Sequence, residues 1–344
     1  MAYLIILIFI FTLSVYYLPY TYEVEKKILI LSIYCTLGII IGIRHYDFGI
    51  DTIQYYSLFE NIKYENLLTA FDTEREEWGY ILSNKIISAI GGDYYCFQII
   101  FSLSMMVLLC NFIENETKYV LTATIIFLGA GYFAYSYNIM RQMMAISIAA
   151  NGWVYLSKKK YYLSYLLLLF SVLFHKLAVL YIIAYLLYAF RNSKIISYGF
   201  PFLIIIIGLY IPKLMDLSLA LDFYADYTNR PGNTGGFVKI VWMIEAILIS
   251  IILVSKKFNN KDKCIANLSL WCVSFFYFDS QLRYLDRIGL FFFPFVLIMF
   301  CSFGAKFFKS RNYKTLYFAS VDLCFIMYLI YTNAGLESYK SFLL

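Results

Sequence analysis

The chain has 344 residues, of which 62% are hydrophobic, 21% aromatic and only 15% charged, with a formal net charge of +6. A water-soluble globular protein of that length cannot cover so much apolar side chain, so composition excludes a soluble enzyme and points to an all-α, polytopic integral membrane protein. The positive balance is no argument for nucleic acid, because lysine and arginine in such chains chiefly set orientation.

Ten apolar segments are each about long enough to cross hydrocarbon at 1.5 Å per residue: Ala2 to Leu18, Ile28 to Ile43, Tyr94 to Phe112, Tyr119 to Tyr137, Arg141 to Leu156, Ile195 to Ile211, Phe237 to Ser255, Cys264 to Phe278, Ile288 to Phe303 and Thr315 to Tyr331. The first is read as a retained span, since Met1-Ala2-Tyr3 carries no basic n-region and no small-residue cleavage site follows. Basic clusters at Lys26-Lys27, Lys158 to Lys160, Arg191 with Lys194, Lys256 to Lys263 and Lys306 to Lys314 mark the inner side. Seven cysteines without metal-ligand spacing are read as packing residues, with no disulfide framework.

Two segments resist the simple count. Tyr161 to Phe190 is apolar for 30 residues between two inner basic clusters, so it crosses an even number of times. Arms of about 15 residues climb only ~22 Å, which sets the turn at Phe174-His175-Lys176 below the outer surface, at half depth. Trp78 to Ile90 carries Lys85 in its middle and reads as an amphipathic helix on the outer surface. The expected architecture is therefore one transmembrane domain over residues 1–344, with ten spans, a short hairpin, an outer loop over 44–93 holding the amphipathic helix, and a second outer loop over 212–236 covering a cavity. In this topology fourteen of twenty lysines face inward, whereas six of eight arginines (44, 75, 141, 230, 283 and 287) face outward.

Those arginines need a cause other than the positive-inside rule. Asn138-Ile-Met-Arg-Gln142 puts a permanent charge and two amides where two apolar segments meet, and a guanidinium fork suits bidentate binding of phosphate oxygens. The pattern points to a pyrophosphate-bearing ligand, the alternative being that Arg141 snorkels to headgroups. Arg44 emerges from a helix end, and Gly49 permits the turn that returns Asp51 toward the membrane. Asp279, Arg283 and Arg287 recur at intervals of four, leaving a positive surplus on one helical face. Rings and carboxylates of Asp51, Tyr55, Glu77 and Tyr80, with Asn138 and Gln142, suit sugar binding. His175, one of two histidines, is the natural general base at a hairpin tip, with Asp51 as the competing candidate. Glu245 and Asp322 lie inside spans and are suspects by position.

Arg44, Gly49-x-Asp51-Thr52 with Tyr55, Glu77-x-Gly79-Tyr80, Asn138-x-x-Arg141-Gln142, Phe174-His175 and Arg287 followed by Phe291-Phe292 resemble, in that order, the EpsG-like branch of the Wzy-type bacterial polysaccharide polymerases. The resemblance covers about residues 40 to 300. It implies a GT-C-like glycosyltransferase of the bacterial inner membrane that moves a growing glycan from undecaprenyl pyrophosphate onto another lipid-linked repeat unit. Arg44, Arg141, Arg283 and Arg287 are then expected to hold pyrophosphate, with no metal or other cofactor needed. Membrane lipid, a chain-length regulator and a flippase are the expected partners. Lys176 departs from the pattern, where a small or polar residue is expected after the histidine. A lipid-linked glycan transporter or flippase, an O-antigen-ligase-like glycosyltransferase and a membrane acyltransferase are the alternatives. The transporter would need an internal repeat with broken helices in matching positions, and none is evident.

Overall fold

A computed structural model of the protein describes residues 24–49, 51–73, 77–196, 198–201, 203, 206, 210, 236–278 and 285–332. The expected segments Ala2 to Leu18 and Pro212 to Gly235, most of Ile195 to Ile211, and Arg75, Arg230, Asp279 and Arg283 lie outside them. Among the described residues the architecture is all-helical, with fifteen α-helices. Three continuous helical stretches are long and apolar enough to cross a membrane, Tyr94–Glu116, Leu285–Phe307 and Arg311–Ile330, and a bent pair makes a fourth. These long apolar helices make it a multi-pass membrane protein. The described helices gather into two compact units, residues 24–181 with 325–332, and residues 182–324.

The first unit begins with α1 (Val24–Gly42). Gly38 and Gly42 lie one turn apart on the face turned to α5 (Tyr94–Glu116). A Cβ at Gly38 would sit 3.0 Å from Leu103 Cα, and one at Gly42 only 2.7 Å from Ile99 Cα. Removing two side chains lets the helix backbones touch, the small-xxx-small packing that holds helices together where lipid supplies no hydrophobic drive. Between α1 and α5 run three helices of the segment expected to face outward: α2 (Thr52–Tyr64), α3 (Leu67–Thr73) and α4 (Trp78–Ala89). The last matches the expected amphipathic helix to within a residue. Its Lys85 ends in the protein, where Nζ donates to the carbonyls of Ile62 and Lys63 at 3.1 and 3.3 Å and to that of Glu65. A cation there satisfies the orphan acceptors at the C-terminus of α2 and complements its dipole.

The segment expected as one span over Tyr119 to Tyr137 is broken. Helix α6 (Val120–Gly129) and α7 (Tyr132–Asn138) meet at 65°, because Gly131 takes φ +81°, a left-handed conformation that ends a helix. Then α8 (Met140–Ser157) descends for 18 residues and α9 (Tyr161–Val172) returns for 12. These lengths correspond to ~27 and ~18 Å, so α9 is the shorter of the two. A polar ladder joins α8 to α5: Asn151 Nδ2 donates to Leu108 O at 2.8 Å, Asn111 Nδ2 to Asn151 Oδ1, and Lys158 Nζ to Asn115 Oδ1. In an otherwise apolar bundle such amides supply directional adhesion.

After a 3₁₀ turn (Lys176–Leu180) comes α10 (Tyr181–Ala189). The second unit holds α11 (Gly236–Val254), α12 (Asn260–Phe278), α13 (Leu285–Gly289), a 3₁₀ turn (Leu290–Phe292), α14 (Phe293–Phe307) and most of α15 (Arg311–Thr332). The start of α12 is tied by a reciprocal cap. Asn259 N donates to Asp262 Oδ2, and Asp262 N to Asn259 Oδ1, both at 2.9 Å. Asp262 also accepts from Ser302 Oγ at 2.8 Å and Lys306 Nζ at 2.6 Å. Thus part of the basic clusters read as inner serves to pin α12 to α14. Glu245 and Asp322 are both buried in this unit.

Candidate functional site

The residues singled out by sequence meet where α7 hands over to α8. Ile139 takes φ −117° and ψ 56° between the two helices, which sets Arg141 in the first turn of α8. Its Nη1 donates to Glu77 Oε2 at 2.6 Å, with the two side chains 20% and 16% exposed. The guanidinium lies 5.7 Å from the ring centre of Tyr55 and 5.5 Å from that of Tyr80, in cation–π range. Burial pushes the Tyr80 phenol well above the ordinary tyrosine range, so it remains neutral as a support for the cation.

Glu77 has a second partner, since its Oε1 accepts from Lys176 N at 3.3 Å. One carboxylate thereby links the guanidinium to the backbone beside His175. The approach is made close by Gly79, whose N donates to Leu173 O at 2.7 Å. A Cβ on Gly79 would lie 2.7 Å from that same oxygen. The start of α4 is thus seated on the turn after α9. His175 caps the 3₁₀ turn, its Nδ1 accepting from Leu177 N at 3.2 Å. With Nδ1 taken as an acceptor, the neutral ring carries its proton on Nε2.

Asp51 stands just ahead of α2 and is half-buried. Its carbonyl accepts from Tyr55 N at 3.2 Å, one turn away, and the Tyr55 ring lies against Arg141. The preceding loop turns at Gly49 (φ +110°), where a Cβ would be 2.9 Å from Asn138 Oδ1. Asp51, Asn138, Arg141, Glu77 and the His175 turn therefore belong to one neighbourhood of the first unit.

Other expected residues are placed differently. Arg44 is fully buried; Nη1 donates to Ile41 O at 2.6 Å and Nη2 to Met140 Sδ. Its guanidinium closes the end of α1 and braces the residue before Arg141, instead of facing outward as a phosphate clamp. Tyr55 and Tyr80 are 5% and 0% exposed, so they line the protein side of Arg141 and offer no open ring face to a sugar, and Gln142 is buried at 2% exposure. Arg287 belongs to the second unit, where its N donates to Asp286 Oδ1 at 2.7 Å. The rings and charges of residues 45–56, part of the stretch that reads as suited to sugar, form a half-exposed group. Tyr46 and Tyr56 stack at 4.6 Å and 22°, and His45 Nδ1 meets Asp47 Oδ1 at 2.6 Å. The alternation of rings and charges in Arg44-His45-Tyr46-Asp47-Phe48 was the signal for it.

The family model described as the EpsG family matches residues 27–343. No curated protein and no solved structure matches the chain.

Proposed function

We propose that this chain, which belongs to the EpsG family, polymerises undecaprenyl-pyrophosphate-linked oligosaccharide repeat units by glycosyl transfer on the outer face of the bacterial inner membrane. The family is linked to exopolysaccharide biosynthesis. The observation that carries the reading is the shared carboxylate of Glu77, which brings the Arg141 cation and the His175 turn to one partly open site. In this reading the chain is GT-C-like with ten spans, and a chain-length regulator and a flippase work beside it.

The reaction follows from the groups at the site. The acceptor hydroxyl gives its proton to the Asp51 carboxylate and forms the new bond to the anomeric carbon. The bond from that carbon to the pyrophosphate oxygen breaks, and its electron pair leaves on the pyrophosphate. Arg141 stabilises the charge that develops there, a contribution typically worth ~10² to 10³ in rate. His175, protonated on Nε2 in its neutral form, serves as a hydrogen-bond donor to the leaving pyrophosphate. Asp51, one turn from the ring that supports Arg141, is then the base. Tyr46 and Tyr56, a half-exposed stacked pair, supply the ring face on which a pyranose stacks, in place of the buried Tyr55 and Tyr80.

The test is mass analysis of products from purified protein and one lipid-linked repeat unit, with Asp51→Asn and His175→Gln. Longer glycans from the parent, near-complete loss in Asp51→Asn and partial retention in His175→Gln are expected, because glutamine keeps an N–H donor. No elongation by the folded parent would end the polymerase reading. Full activity in Asp51→Asn would return the base to His175.

A further inference from the structure

Between α4, α5, α8 and α9 of the first unit lies an open cavity of about 360 Å³, within the ~300–1,000 Å³ range of small-molecule sites. Its lining is hydrocarbon or thioether except for two serines, and both hydroxyls are already used within their own helices. Ser83 Oγ donates to Gly79 O at 2.7 Å and Ser104 Oγ to Ile100 O at 2.8 Å. Nothing in the wall asks for a polar ligand.

Its position relative to Arg141 is fixed by helix geometry. Met144 and Ile148 line the cavity at three and seven residues beyond Arg141, hence on the same face of α8. Met144 lies only ~4.5 Å of helix rise from Arg141, and Ile148 ~10 Å. From the turn after α9 the wall includes Phe174, the neighbour of His175. The apolar trough therefore begins one helical turn from the cation and runs away from it.

We propose that this cavity binds the first isoprene units of a polyprenyl pyrophosphate whose anionic end lies at Arg141; the proposal rests on the polymerase reading and names the carrier's path. A phospholipid fits poorly, because its glycerol and ester oxygens would fall beside Met144, where no polar partner lines the wall, and burying them unpaired is costly. A prenyl pyrophosphate is hydrocarbon from its first carbon onward. Charge at one end and an unbroken apolar wall next to it match that ligand.

The experiment uses the full chain in lipid nanodiscs with a benzophenone-tagged prenyl pyrophosphate, crosslinked without acceptor so that no turnover is needed. Labelled peptides should come from the four wall helices. Undecaprenyl pyrophosphate should reduce labelling at least ~10-fold, whereas the same mole fraction of phosphatidylglycerol should leave it unchanged. Ser104→Trp and Leu167→Trp, which add a large ring at two lining positions on different helices, should each cut labelling ~10-fold. Labelling that maps elsewhere, that survives both tryptophans, or that phosphatidylglycerol displaces equally overturns the proposal. Protein that labels as expected but never elongates glycan keeps the carrier site and refutes the polymerase instead; elongation without labelling of the wall does the reverse.

Discussion

Gly79→Ala is the sharpest perturbation of the site that touches none of its chemistry. The added methyl would lie 2.7 Å from Leu173 O and 3.0 Å from Leu173 C, where ordinary contact begins at 3.4 Å. Both are backbone atoms, so no side chain can swing aside and the start of α4 must retreat by about 0.7 Å. That stretches the 2.7 Å bond from Gly79 N to Leu173 O toward its limit. Overpacking costs ~1–3 kcal/mol and the weakened bond ~0.5–1.5 kcal/mol, giving about 1.5–4.5 kcal/mol of lost stability. Because Glu77 sits two residues earlier, the same retreat draws its carboxylate from Arg141 and Lys176 N. A displacement approaching 1 Å at a reacting centre costs ~10²-fold in rate. Both numbers are measurable on purified protein, the first by denaturant titration in mixed micelles followed by circular dichroism, the second by product length. Gly199→Ala is the control, since a Cβ there meets nothing within 4 Å. If Gly79→Ala matches the control in stability and in glycan length, α4 is not seated on the turn and the account of the site fails.

Other outcomes follow from the same structure. Arg141→Lys should lower elongation ~10²- to 10³-fold at normal protein level, since an ammonium cannot keep Glu77 and present a planar fork to phosphate; unchanged glycan length in a gel assay would refute it. Lys85→Met should cost ~1–3 kcal/mol by leaving carbonyls at the end of α2 without their donor, read as faster amide exchange in the last turn of α2. Tyr80→Phe tests the buried phenol through pH. The folded phenol holds its proton above the ordinary ~10 while the unfolded one releases it there. Tyr80 therefore makes stability fall as pH rises past the unfolded value, by up to ~1.4 kcal/mol per pH unit. Removing it should flatten the alkaline decline relative to the parent in parallel titrations, and identical slopes would show that Tyr80 ionises normally.

Periodicity and charge made the helical class, the turn at 173–175 and the helix over Trp78–Ala89 legible before any coordinates. They also brought Arg141, Glu77 and His175 forward, because charge in apolar surroundings stands out at any spacing. What stayed hidden depended on contacts between distant segments. Lys85 looked like a solvent-seeking charge, whereas it closes the end of a helix some twenty positions earlier in the chain. Arg44 and Tyr80 had the chemistry of ligand-facing groups, yet burial makes them supports. The Gly38–Gly42 spacing was plain in the sequence, and only the partner helix gives it meaning. The break at Gly131 was missed because hydropathy stays high across it.

At rest, the pairing of Glu77 with Arg141 gives that pair no net charge. A singly anionic headgroup arriving from the surrounding bilayer would have to evict an internal carboxylate and would gain only what it displaced. A pyrophosphate brings more than one negative charge to the same fork and can outbid it. In the proposed polymerase the carboxylate would thus act as a threshold that common lipids, present in vast excess, do not cross.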